Sequence, residues 1–231
     1  MLRLALPFAL ALLACASARP PEAPPDDREL VVLVHGMGRT PLSMVPLGVA
    51  LRRAGYRTLN VGYDSQGPGV EALGRELAAA VHAETARAPA SAVHFVGHSL
   101  GGLLSRWVLA HDPPPGAGRA VLLASPGAGS AAADRWAWLL RFGLPPIAEL
   151  TTGAPFEPGP LPPGVGVAVI AGDADGKVSP DEARLPGADA TCVVPSGHTA
   201  IMWRPRVIRL VTAFLGTGEL SPSAGDCAAE L

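Results

Sequence analysis

Ala92-Val93-His94-Phe95-Val96-Gly97-His98-Ser99-Leu100-Gly101 is the stretch on which the reading of this chain turns. A mostly apolar run, rich in β-branched and aromatic residues, ends in G-x-S-x-G, the pattern of a nucleophile elbow, in which a strand stops, a serine sits on a sharp turn and a helix starts. Such a turn needs small residues two before and two after the serine, because side chains there would collide with the neighbouring strand and the helix behind. Gly97 and Gly101 meet that need. The turn exposes the serine oxygen and directs the backbone N–H of Leu100 at the space where an oxyanion would form. A glycine-rich turn with an idle serine would show the same five letters, so the flanking pieces decide.

Upstream, Leu30-Val31-Val32-Leu33-Val34 reads as a strand buried on both faces and runs into His35-Gly36-Met37-Gly38. This resembles the H-G loop of α/β-hydrolases, which implies a second oxyanion N–H, that of Met37 by position. His35 is expected to be a strand-end histidine with structural hydrogen bonds rather than an acid or base.

A serine hydroxyl is a weak nucleophile at neutral pH, so the chemistry requires a base within reach and a third group to orient it. The resemblance implies the order Ser, then Asp or Glu, then His. Val165-Gly166-Val167-Ala168-Val169-Ile170-Ala171 reads as a buried strand ending in Gly172-Asp173-Ala174-Asp175-Gly176-Lys177-Val178. Asp175 is preferred because G-x-x-D-G-x-V resembles the acid loop of many α/β-hydrolases, and Asp173 is the fallback. Either carboxylate could instead cap a turn. After a short strand at Ala190-Thr191-Cys192-Val193-Val194, the loop Pro195-Ser196-Gly197-His198-Thr199 carries a Gly-His-Thr segment that resembles the histidine loop of these enzymes. The other five histidines lie in the elbow (His98), a strand (His94), helical segments (His82, His111) and the H-G loop (His35). The implied site is Ser99 as nucleophile, His198 as base and Asp175 as its orienting acid, with Met37 and Leu100 at the oxyanion. No metal or organic cofactor is expected, since the three cysteines are scattered and H-E-x-x-H is absent.

Location is a second reading. Met1-Leu2-Arg3 leads into an apolar run from Leu4 to Ala14, too short for a membrane span and suited to an export signal over residues 1–18. Leu12-Leu13-Ala14-Cys15 resembles a lipobox, although Leu13 departs from it, and this implies acylation of Cys15 in a bacterial lipoprotein; cleavage after Ala16-Ser17-Ala18 fits equally. Residues 19–29, rich in proline and acid, form an extended tether. Both alternatives place the protein outside the cytoplasm, in the cell envelope or secreted. There, Cys192 and Cys227 would form one disulfide or remain two thiols.

About two hundred mature residues suit one domain. A net charge of −2 on 231 residues offers no general attraction for nucleic acid. The expected fold is a three-layer α/β-hydrolase core over residues 30–216, lacking the first two antiparallel strands of larger members, with a tail at 217–231. Strands are predicted near 30–34, 57–61, 92–96, 119–123, 166–171 and 190–194, and helices near 42–54, 69–87, 100–111 and 200–215, the last delayed by Pro205. The sheet should be mainly parallel. An insertion at about 127–163 holds Trp136, Trp138, Leu139, Leu140 and Phe142 at helical spacings, which suits a lid or an ordinary helix burying its face. Asp64 and Ser125 are expected to shape turns. The resemblance implies a carboxylic ester hydrolase of lipase or esterase type acting on a small-molecule or lipid ester. Acyltransferases, thioesterases and some peptidases share the constellation, and a non-catalytic envelope binding protein is the other class, against which the intact Ser99, Asp175 and His198 argue.

Overall fold

The computed structural model describes residues 28–67, 69–127, 159–160, 163–220 and 227. The expected export signal, Cys15, the tether up to residue 27 and the apolar part of the insertion lie outside these residues.

β1 (Leu30–Val34), β2 (Arg57–Val61), β3 (Val93–His98), β4 (Ala117–Leu123), β5 (Gly166–Gly172) and β6 (Ala190–Val194) form one sheet in the order β2-β1-β3-β4-β5-β6. Every pairing among them is parallel. Parallel strands need crossovers, and α1 (Val45–Arg53), α2 (Val70–Arg87), α3 (Leu100–His111), α4 (Pro180–Ala183) and α5 (Pro205–Thr217) lie in the connections or after the last strand.

The sheet is covered on both faces, which explains why β1 reads as LVVLV rather than as an alternating pattern. Leu30, Val32 and Val34 pack with Leu73 and Leu77 of α2 and Leu104 and Val108 of α3. Val31 and Leu33 face the other way, with Leu47 and Leu51 of α1 and Val207, Leu210 and Phe214 of α5. Burying each of these large side chains contributes about 1.5–3 kcal/mol.

Chain order reverses between β1 and β3: from β1 the chain moves out to β2, then returns to β3 on the other side. In open parallel sheets the crevice at the carboxyl ends of such a strand pair is where ligands bind. Here it is flanked by the residues after Val34 and by those after His98, the H-G loop and the elbow.

Several boundaries differ from expectation. The helix expected from 42 begins as a 3-10 turn at Pro41–Met44, and α1 starts at Val45 with Pro46 in its first turn. The helix expected from 200 is likewise divided into a 3-10 turn at Ala200–Trp203 and α5, which opens on Pro205, where the fixed φ of proline suits a helix start. β3 runs two residues further than its apolar segment, so that His98 is a strand residue paired with Leu123. α4 was not expected; it carries a capping box in which Ser179 and Glu182 satisfy one another's backbone N–H groups.

Candidate active site

Ser99 follows β3 directly and is held at φ 53°, ψ −120°. For a residue with a Cβ this conformation costs about 1–3 kcal/mol, and it persists only when surrounding contacts enforce it. The enforcing contacts are close. A Cβ on Gly101 would enter the carbonyls of Val34 and His35, and one on Gly97 would enter the backbone of Gly101 and Gly102. The Ser99 N–H donates to the carbonyl of Leu123 at 2.9 Å, and Ser125 Oγ donates to the carbonyl of Ser99 at 2.9 Å. Leu100 then opens α3, whose first turn leaves N–H groups without an intrahelical acceptor.

Ser99 Oγ lies 3.1 Å from His198 Nε2, and His198 Nδ1 lies 2.7 Å from Asp175 Oδ2. A carboxylate only accepts, so the proton sits on Nδ1 and leaves the Nε2 lone pair facing the serine hydroxyl. The second oxygen of Asp175 accepts from the N–H groups of Lys177 and Val178 at 2.8 and 2.9 Å. Burial opposes charge on this carboxyl, but the His198 bond and the two backbone donors outweigh it and hold its pKa below the usual carboxylate value. The three residues are separated by 99 and 23 positions in sequence and form one hydrogen-bonded line.

Asp173, the fallback acid, is exposed and accepts from the Ser196 N–H at 3.1 Å, fixing the histidine loop from outside that line. Met37 is partly buried on the loop after β1. That loop abuts the elbow: a Cβ on Gly36 would stand 3.1 Å from Ser99 Cβ. Its brace is built by residues from the segment after β2. Tyr63 stacks on the His35 ring at 4.3 Å and donates its hydroxyl to the His35 carbonyl, and Ser65 Oγ accepts from the Gly38 N–H at 2.9 Å. His35 is buried, bonds the Gly36 carbonyl through Nδ1 and is shifted toward the neutral form by burial, as its structural reading requires. Asp64 caps its turn by accepting from the Gln66 N–H.

Three contributors were not found in the sequence. Ser125 was expected to shape a turn, yet its fully buried hydroxyl holds the carbonyl of the elbow serine. Arg39 ties the loop after β1 to the histidine loop through a 2.6 Å bond to Thr199 Oγ1. His98 donates through Nε2 to the main-chain carbonyl of His198 at 2.8 Å. The only available signal was position: each stands within two residues of a strand's carboxyl end or on a loop that follows one. Among the described residues no cluster of His, Cys, Asp and Glu is arranged to hold a metal ion.

The all-parallel sheet with helices on both faces and a serine elbow after its third strand is the α/β-hydrolase fold. A family profile described as "Putative serine esterase (DUF676)" matches residues 24–116, from before β1 to past the elbow. No curated protein matches the chain. Among solved structures, the chain is similar to an esterase of Pyrococcus furiosus, with a TM-score of 0.63 at 18% identity, covering 82% of this chain and 80% of that one. It is also similar to the type II thioesterase of the borrelidin biosynthetic cluster, with a TM-score of 0.61 at 20% identity over 83% of this chain and 93% of that one. A hydrolase of Pseudomonas aeruginosa gives 0.58 at 19% identity over 83% and 91%.

Proposed function

We propose that this protein is an exported carboxylic ester hydrolase working through an acyl-enzyme on Ser99. The observation that carries the reading is the Ser99–His198–Asp175 hydrogen-bonded line at the mouth of the β1/β3 crevice. His198 takes the proton of Ser99 as its oxygen attacks the acyl carbonyl, and Asp175 balances the imidazolium that results. The N–H groups of Met37 and Leu100 receive the oxyanion. His198 then protonates the departing alkoxide, and water activated by the same base releases the acid and restores the serine. The serine-esterase profile, which spans the H-G loop and the elbow, supports this reading.

The test is hydrolysis of a p-nitrophenyl ester series of increasing acyl length, with fluorophosphonate labelling alongside. Wild type should turn over the esters and take the label, and Ser99→Ala should do neither. A folded wild type that takes the label but spares oxygen esters would shift the reading to acyl thioesters, the bond named for the borrelidin-cluster neighbour.

Export is supported by the signal-like residues 1–18 and by the Cys192–Cys227 disulfide, a bond that persists in oxidising compartments. Lipid attachment at Cys15 is the second part of the proposal. Metabolic labelling with a fatty acid should mark wild type and spare Cys15→Ser; a wild type without label would exclude the anchor.

A further inference from the structure

His198 stands in a loop, 195–199, with no regular secondary structure, so its aim depends on bonds from outside the loop. Asp173 holds the Ser196 N–H, and Arg39 holds the Thr199 hydroxyl. The bond on the main chain of His198 itself comes from His98 Nε2, at 2.8 Å to its carbonyl. His98 is the last residue of β3, adjacent to Ser99, so a single strand end fixes both the nucleophile and the backbone of its base.

The ring has no freedom to do otherwise. It is 1% exposed, and a Cβ on Gly36 would lie 2.7 Å from its Nδ1. Because Nε2 donates to a carbonyl, it carries the proton of the neutral ring, and the buried Nδ1 is left without a partner. The ring centre lies 4.9 Å from that of His198, tilted by 52°. A donor at this place must be uncharged, since a cation so close would oppose the imidazolium that His198 becomes during attack.

We propose that His98 is a positioning residue, whose neutral imidazole donates to the His198 carbonyl and thereby sets the distance and angle of His198 Nε2 to the Ser99 hydroxyl. Burial first, and then the charge of His198, push the His98 pKa down to about 3, so the ring stays uncharged wherever a histidine base can work. The proposal rests on Ser99 and His198 acting as nucleophile and base.

The experiment compares the full chain carrying His98→Gln, His98→Asn or His98→Leu with wild type. A glutamine amide nitrogen reaches the place of Nε2, whereas that of asparagine falls at the place of Nδ1, beside Gly36, and leucine fills the space without a donor. Loss of the bond should lower kcat by about 10- to 100-fold in the Leu and Asn variants with KM little changed, since misplacement of a reacting group acts on the chemical step. His98→Gln should recover most of that loss, and fluorophosphonate labelling rates should follow the same order. Full kcat in both Leu and Asn variants would overturn the proposal, as would a Gln variant no better than they are while all three melt with wild type. Should Leu not fold, Asn against Gln still decides.

If wild type neither turns over esters nor labels, the nucleophile reading has failed, and the low-field proton resonance of His198 Nδ1 against Asp175 tests the positioning alone. That signal should survive in Gln and shift or vanish in Asn; an Asn spectrum identical to wild type would overturn the proposal.

Discussion

Asp175 and Asp173 stand two residues apart on one loop, and burial separates their roles: Asp175 is 8% exposed and bonds His198, while Asp173 faces solvent and bonds a backbone N–H. Asp175→Asn should lower kcat by about 10³- to 10⁴-fold, because an amide cannot hold the required tautomer of its histidine. Asp173→Asn keeps an oxygen that can accept from Ser196, and should change turnover by no more than about two-fold, the usual range for an exposed substitution. Steady-state kinetics on one ester checks both. The sequence favoured Asp175 through its motif resemblance but left either aspartate free to cap a turn, and the structure places Asp175 against His198.

His98 also predicts a dependence of stability on pH. Its pKa falls from 6.5 to about 3 on folding, so the unfolded chain binds the proton first as pH drops. The stability that the neutral ring confers is present in full above its unfolded pKa and is lost as pH falls toward its folded value, by up to about 1.4 kcal/mol per unit. His35 and His94, which are also lowered by burial, act in the same direction. Denaturant unfolding at neutral and mildly acidic pH should therefore show a steep loss in wild type and a shallower one in His98→Gln.

At the scale of elements, the elbow was the most legible part of the chain, because steric exclusion leaves few residue choices and G-x-S-x-G records them. Gly101 packs directly on the carbonyls at the end of β1. Gly101→Ala should abolish labelling of Ser99 and destabilise the fold by about 1–3 kcal/mol or more, the range for forcing extra volume into a packed site; calorimetry and fluorophosphonate labelling together check it. Strand positions were legible because runs such as Val167–Ala171 are covered on both faces, and a buried parallel strand has no polar side to confuse its reading. The ends of elements were less so. His98 is polar and sits in the motif, which hid its place on β3, and Ala200–Trp203 looked like the start of α5 because a 3-10 turn shares most of its spacing with an α-helix.

Across the whole molecule, the disulfide joins Cys192 in the middle of β6 to Cys227 beyond α5, across 35 residues. Cys192 is fully buried, and Cys227 packs against the same apolar cluster as α5. Paired Cys192→Ala and Cys227→Ala substitution should cost about 2–4 kcal/mol of stability, mainly by freeing the unfolded chain. Denaturant unfolding should show that loss while kcat for a soluble ester at low temperature stays unchanged, since the histidine loop is held by His98, Asp173 and Arg39 rather than by the bridge.

The sequence alone determined the strand–helix alternation, the parallel sheet, the elbow at Ser99 and the candidate histidine, because each is written locally, in apolar runs, in glycines demanded by a tight turn, and in motif spacing. Tertiary structure put Asp175, the acid the motif favoured, against His198, and it alone joined the two cysteines and gave Ser125, Arg39 and His98 their places around the site. Those choices depend on contacts between residues 23 to 160 positions apart, and such contacts exist only once the sheet has brought the ends of its strands together.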